Sequence, residues 1–203
     1  MFTSLPEEIQ KELTELALRY GQPLTRFVEL APTSLFDPLN RSDRYGEVCM
    51  VVRRSNGSLL TAKKTFYPAN AYRLLTGGIN YGERVLHALL RETREETNLE
   101  VIVQRFLVAV AYCLPGQQSQ PLFYTFAFLL DEAGGSLEAL DKDEYVEYFR
   151  EIRPEELPER VNFFAHLPQD YSAYLGGKVA DWGQFRAIIH GLVAEALVIS
   201  AQE

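Results

Sequence analysis

Apolar residues change their spacing several times along the chain, and each change marks an element. Over residues 4–20, Leu5, Ile9, Leu13, Leu16 and Leu18 roughly follow the helical repeat, and Gly21 stands where a helix would stop. Pro23, Pro32 and Pro38 make the next stretch a connector with short extended pieces. From Glu47 the pattern becomes continuous and β-branched, which predicts a strand over residues 47–53. Ser55, Asn56 and Gly57 supply a hairpin turn, and residues 58–62 return as a second strand. A short third strand covers 71–75, Gly77 and Gly78 open a loop, and 83–97 reads as a helix. Strands follow at 101–112 and 122–130, with a loop at Gly134 and Gly135 and a further strand at 145–152. Pro154 sits in the first turn of a short helix, and residues 181–201 form a closing helix. There is no internal repeat and no low-complexity tract. The succession of strands, helix, strands and helix predicts an α+β chain, a layered α/β/α domain.

Composition narrows the class. The chain has 203 residues, of which 47% are hydrophobic and 24% charged, ordinary values for a globular chain with a real core. Its net charge of -8 gives no overall field to draw it to nucleic acid or an anionic membrane. Cys49 and Cys113 lie in apolar runs and are expected to be buried free thiols. No stretch has the length of a membrane helix, and no basic segment followed by an apolar run opens the chain, so a cytoplasmic location is the expectation.

The chemistry concentrates in the helix over 83–97. At 100° per residue, Leu86, Leu89, Leu90, Thr93 and Thr97 form a stripe expected to face the core, and Glu92, Glu95 and Glu96 form a different one. Glu92 and Glu96 are a like-charge i,i+4 pair, a small cost to the helix. Such carboxylates are natural ligands for a hard cation such as Mg2+ or Mn2+. Taken alone, though, the helix reads as a solvated acidic face, with Arg91 and Glu95 as an ion pair.

The wider spacing reverses that balance. Gly77 is followed after five residues by Glu83, and after seven more by Arg91-Glu92-Thr93-Arg94-Glu95-Glu96-Thr97-Asn98-Leu99. This run resembles the Nudix box, G-x5-E-x7-R-E-U-x-E-E-x-G-U with U bulky and apolar, and it matches six of the seven fixed positions. Asn98 stands where that family has Gly, at a helix end that wants a left-handed residue, where Asn is the usual substitute. Thr93 replaces a bulky apolar residue. Weaker resemblance runs from about Arg44 to Pro158.

The resemblance implies a Nudix-type α/β/α sandwich around a mixed sheet. It divides the chain into an N-terminal helix and connector (1–40), a Nudix domain (41–160) and a C-terminal helical extension packing on it (161–203). It also implies metal-dependent hydrolysis of a diphosphate in a nucleoside diphosphate linked to another group. On the matching positions, Glu92 and Glu96 would be metal ligands, with Glu95 a ligand or a partner of one. Glu83 would hold a further metal or act structurally, and a backbone carbonyl at Thr76 or Gly77 would complete the set. Arg91 would orient carboxylates through charge-assisted hydrogen bonds. Among Asp141, Asp143, Glu144 and Glu147, Glu144 is the preferred general base. Pro115 and Gly116 resemble a proline position of ADP-ribose pyrophosphatases, which points to ADP-ribose or a related sugar nucleotide. Arg73 is a candidate phosphate contact, and Tyr67, Tyr72, Tyr81 and Phe123 are candidate base-stacking rings. His87, His166 and His190 lack ligand partners at metal spacing and read as structural or exposed. A Nudix-fold module that senses a nucleotide without cleaving it, and a hydrolase of nucleoside triphosphates or dinucleoside polyphosphates, are the alternatives. Neither a nucleic-acid nor a membrane partner is expected, and the sequence leaves a homodimer open.

Overall fold

The structure is a computed structural model, which describes residues 2–31, 43–140 and 145–201. In chain order the elements are α1 (Glu7–Tyr20), β1 (Leu24–Glu29), β2 (Arg44–Arg53), β3 (Leu59–Lys64), β4 (Arg73–Asn80), α2 (Val85–Thr97), β5 (Leu99–Cys113), β6 (Phe123–Gly135), β7 (Val146–Ile152), α3 (Leu157–Ala165), β8 (Tyr171–Ser172), β9 (Gly177–Lys178) and α4 (Val179–Ser200). Strands β1 to β7 form one sheet in the order β1-β5-β6-β2-β4-β3-β7. The pairs β1–β5 and β2–β6 are parallel and the other pairs antiparallel, so the sheet is mixed.

The central strand explains the layering. In β2, Val48, Met50 and Val52 point into one apolar cluster with Leu13, Leu16 and Leu89, from α1 and α2. Cys49 and Val51 point into another, with Phe164, Trp182, Phe185 and Ile189 from α3 and α4. A strand covered on both faces reads as a continuous apolar run rather than an alternating one, as 48–52 does. The fold is therefore the expected α+β, helix–sheet–helix arrangement. Both cysteines are free and buried.

Three local expectations change. Residues 24–29, within the expected connector with short extended pieces, form a regular strand, β1, at the sheet edge in parallel pairing with β5. Its apolar residues do not alternate, and its partner lies more than 80 residues away, out of reach of any local pattern. Gly77 and Gly78 do not open a loop: they belong to β4 and pair with Val48 and Glu47 of β2. On α2 the buried stripe is Val85, Ala88, Leu89, Glu92, Thr93, Glu96 and Thr97. Leu90 is 43% exposed, and the carboxylates of Glu92 and Glu96 turn inward in its place. The short helix expected after Pro154 is α3, entered through a tight turn over Pro154–Glu156.

Asn98 ends α2 as expected. It is left-handed at φ 55°, its backbone N–H bonds the Arg94 carbonyl at 2.8 Å, and its side chain donates to Ser136 and Glu138.

α4 is joined to the sheet by a buried histidine. The Leu74 N–H of β4 donates to His190 Nε2 at 3.0 Å, and His190 Nδ1 lies 2.7 Å from the Arg186 carbonyl. Accepting on one nitrogen and donating on the other requires the neutral ring. Burial disfavours the imidazolium, and Arg73 and Arg186 add to that, so the pKa falls to about 3. Below pH 6.5 the unfolded chain takes up a proton that the folded chain refuses, so stability is lost as pH falls from 6.5 towards 3. The loss through this group should be about 1.4 kcal/mol per pH unit in that window. Denaturant midpoints at pH 7 and pH 5 should show it, and His190→Gln should be less stable at pH 7 but flatter across the window.

Candidate functional site

The carboxylates of α2 reach the sheet because β4 has no side chain in their way. A Cβ placed on Gly77 would lie 2.2 Å from Glu92 Cδ and 2.3 Å from its Oε2, so only glycine lets that carboxylate rest on the β4 backbone. Glu92 is 7% and Glu96 1% exposed. Burying carboxylates costs several kcal/mol unless charge partners are supplied, and here cations come from two directions. Arg91 Nη1 bonds Glu92 Oε1 and Glu95 Oε2, both at 2.9 Å. Its Nε and Nη2 hold the two oxygens of Glu83 at 2.8 and 2.9 Å, and Nη2 reaches the Gly78 carbonyl at 3.0 Å. Lys64 of β3 comes within 3.3 Å of Glu96.

Glu83 precedes the helix. Burial alone would raise its pKa, but bonds from Arg91, the Asn80 N–H and His87 overcome that and hold it at about 2. Burial likewise opposes the charge on Arg73, yet Tyr67, Glu96 and Glu47 stabilise it and raise its pKa. The Arg73 guanidinium bonds Tyr67 Oη at 2.8 Å, the Leu74 carbonyl at 2.8 Å and Thr76 Oγ1 at 2.9 Å.

Beside the box lies a cavity of about 270 Å³. Its lining brings together Gly77 and Thr76, the cations Arg44, Lys64, Arg73 and Arg186, and the rings of Phe66, Tyr67, Tyr174, Trp182 and Phe185. A larger cavity, about 670 Å³, lies beneath α1 and is lined by Leu5, Ile9, Tyr45 and Tyr124 among others. We place the site in the smaller one because its lining includes Gly77, against which the buried Glu92 carboxylate rests, and four cations.

Two of its residues were not among the sequence candidates. Glu47 of β2 accepts Arg186 Nη1 on both oxygens, at 2.9 and 3.0 Å, and Thr125 Oγ1 at 3.1 Å. The partners are 139 residues apart, so only the fold reveals the pair. A sequence hint existed in Glu47, an acid at the head of an otherwise apolar strand. Arg186 Nε is buried and has no hydrogen-bond partner among the described residues.

Other expected site residues fall elsewhere. Pro115 and Gly116 are exposed at the turn between β5 and β6, where the Gly116 N–H bonds Glu29, and they do not line the cavity. Glu147 of β7 pairs with Lys63 of β3. Asp141, Asp143 and Glu144 lie outside the described residues. Of the candidate rings, Tyr67 lines the cavity, Tyr72 lies near Arg150, Tyr81 is 63% exposed and Phe123 packs in the core.

Among the described residues, no three or more His, Cys, Asp or Glu side chains are grouped to hold a metal ion. The donors near Gly77 still suit a hard divalent cation. Magnesium typically takes one or two carboxylates, completing its shell with water and substrate oxygens. Glu92 and Glu96 supply two buried carboxylates at i,i+4 spacing, and Gly77 leaves the space a Cβ would fill.

An ADP-ribose pyrophosphatase of Methanocaldococcus jannaschii is 30% identical over 99 residues, covering 49% of this chain and 57% of that protein. The chain thus spans little more than half the length of this curated relative. Solved structures to which the chain is similar include an ADP-ribose pyrophosphatase from Streptococcus suis, at 16% identity and a TM-score of 0.44, covering 75% of this chain and 90% of that one. They also include a C. elegans Ap4A hydrolase, at 14% identity and a TM-score of 0.45, covering 77% and 99%. No helix among the described residues is long and apolar enough to cross a membrane. Residues 44–171 match the family model described as NUDIX domain, which is well over half of the chain, so the protein belongs to the NUDIX domain family.

Proposed function

We propose that this protein hydrolyses the diphosphate of a nucleoside diphosphate joined to a second group, with ADP-ribose or a related sugar nucleotide first in line and Mg2+ or Mn2+ as cofactor. The observation that carries this reading is the placement of the Glu92 carboxylate against Gly77, at the edge of a cavity walled by cations and aromatic rings. The 30% identity to an ADP-ribose pyrophosphatase supports the substrate class.

Each feature has a task in such a reaction. Water adds to one phosphorus, the bridging P–O bond breaks, and ADP-ribose would yield AMP and a sugar phosphate. Glu92 and Glu96 hold the cation, with Glu95 and the Gly77 carbonyl as further donors. When bound, the cation neutralises phosphate charge and makes an attacking water more acidic. Glu83, engaged by Arg91, His87 and the Asn80 amide, keeps Arg91 in place and through it the carboxylates. Arg44, Lys64, Arg73 and Arg186 face the phosphates with positive charge, and the free Nε of Arg186 is a donor for a phosphate oxygen. Tyr67, Tyr174 and Trp182 offer faces to the base. Glu144 is proposed as acceptor of the water's proton on the family resemblance alone. Trp182, Phe185 and Arg186 come from the segment after residue 160, which makes that extension part of the site.

The test is Mg2+- or Mn2+-dependent release of AMP from ADP-ribose, within a panel of nucleotide diphosphates. Turnover should vanish with chelator and fall roughly 10²–10³-fold in Glu96→Gln, the scale of losing one charge-stabilising group. No metal-dependent turnover across the panel, with nucleotide binding unchanged in Glu96→Gln, would overturn the reading in favour of a sensing module. Gly77→Ala puts a methyl group onto the Glu92 carboxylate. It should cut kcat by about 10²-fold, as displacing a catalytic group by an ångström does, while circular dichroism shows the fold retained.

A further inference from the structure

The start of α2 is held from outside the region that matches the family. α2 has no cap of its own: its N-cap residue, Arg84, is extended and makes no capping hydrogen bond. Its first free amides go instead to Glu12 of α1. The Val85 N–H donates to Glu12 Oε2 at 2.9 Å, and the Leu86 N–H donates to Oε1 at 3.1 Å. Glu12 is only 2% exposed and shares the buried face of α1 with Ile9, Leu13 and Leu16. The Arg84 guanidinium, 3.4 Å away, supplies a counter-charge. From the other side, Tyr45 of β2 donates its hydroxyl to the Glu83 carbonyl at 3.1 Å.

A carboxylate at this place satisfies orphan amides and meets the positive end of the helix dipole. A serine or aspartate at residue 84 would do the same locally. The remote carboxylate also ties the helix to another element. Both oxygens are occupied by amides whose directions the helix dictates, so Glu12 sets the rotation and axial position of α2 relative to α1. Val85 and Glu92 are seven residues apart, close to two helical turns, and lie on the same buried stripe. A rotation at Val85 is therefore carried to the Glu92 carboxylate, which has no slack where it rests on Gly77.

We infer that Glu12 is a positioning residue for the box: its carboxylate fixes α2 so that Glu92 and Glu96 present their carboxylates in register with Gly77. This rests on the proposed hydrolysis. The experiment compares full-length Glu12→Ala, Glu12→Gln and Leu13→Ala, the last removing a buried side chain of the same helix without touching the cap. Mn2+ affinity is measured by electron paramagnetic resonance, amide exchange at Val85 and Leu86 by NMR, and kcat and KM on ADP-ribose. Glu12→Ala should weaken Mn2+ binding and lower kcat about fivefold, the factor a lost cap carries, with KM unchanged and faster exchange at the two amides. Glu12→Gln, which keeps an acceptor, should recover part of each loss. Leu13→Ala should lower the melting temperature at least as far while leaving kcat and Mn2+ affinity at wild-type values. If Glu12→Ala and Leu13→Ala affect kcat and Mn2+ affinity alike, Glu12 serves stability only and the inference falls. A wild type that binds Mn2+ but cleaves no nucleotide would sink the proposed hydrolysis, and the Mn2+ comparison would still decide the role of Glu12.

Discussion

The structure turns on one demand: two carboxylates must be buried on the face of a helix that also has to pack against a sheet. A helix normally gives its buried face to apolar side chains, and Val85, Ala88 and Leu89 do so in the first turns of α2. One turn later the same stripe carries Glu92 and Glu96. Full burial of an aliphatic side chain stabilises by roughly 1.5–3 kcal/mol, and an unpaired buried carboxylate would cost more than that. The last turns of α2 are therefore tolerable only where partners surround the acids. Gly77 supplies the space, and Arg91 and Lys64 supply the charge.

Much of the surrounding architecture follows from keeping that helix in place. Its C-terminus is fixed by the left-handed Asn98, whose side chain also grips Ser136 and Glu138 beyond β6. Its middle is fixed by Arg91, which ties Glu83 ahead of the helix and the Gly78 carbonyl in β4 to the helical carboxylates. Thr93 stands where the family pattern has a bulky apolar residue. It stays buried by returning its hydroxyl to the Leu89 carbonyl at 2.7 Å, and Thr97 does likewise to Thr93. These hydroxyls satisfy themselves within the helix, so the stripe loses some apolar volume without gaining an orphan polar group.

How much of this could be read in the sequence depended on the range of the interaction. The central strand β2 was legible because burial on both faces writes itself as a continuous apolar run. The box was legible because its residues sit at fixed spacings along one helix and the strand before it. The direction of its carboxylates was not. Leu90 and Glu92 are both plausible on a buried face, and the choice between them rests on Gly77, a residue of another element. The reading of Gly77 and Gly78 as a loop failed for the same reason: paired glycines signal a turn locally, whereas here their bareness makes room inside a paired strand. β1 and the Glu47–Arg186 pair were beyond local reasoning, since each joins segments more than 80 residues apart.

That last pair also bears on the charge that an anionic ligand would meet in an acidic protein. The chain carries a net charge of -8, so its far field repels phosphate. The balance inside the cavity is different. Four cations from β2, β3, β4 and α4 converge on it, and Glu47, the acid within its lining, is occupied by Arg186 and Thr125. Salt at physiological strength screens the outer charges within about 8 Å, whereas partly buried groups are screened much less. Local charge at short range therefore outweighs net charge at long range. The arrangement also gives α4 two roles. Its apolar residues cover the sheet, and the Arg186 that this packing delivers to Glu47 places a guanidinium at the wall of the cavity. Covering the core and completing the cavity are thus consequences of the same contact between helix and sheet.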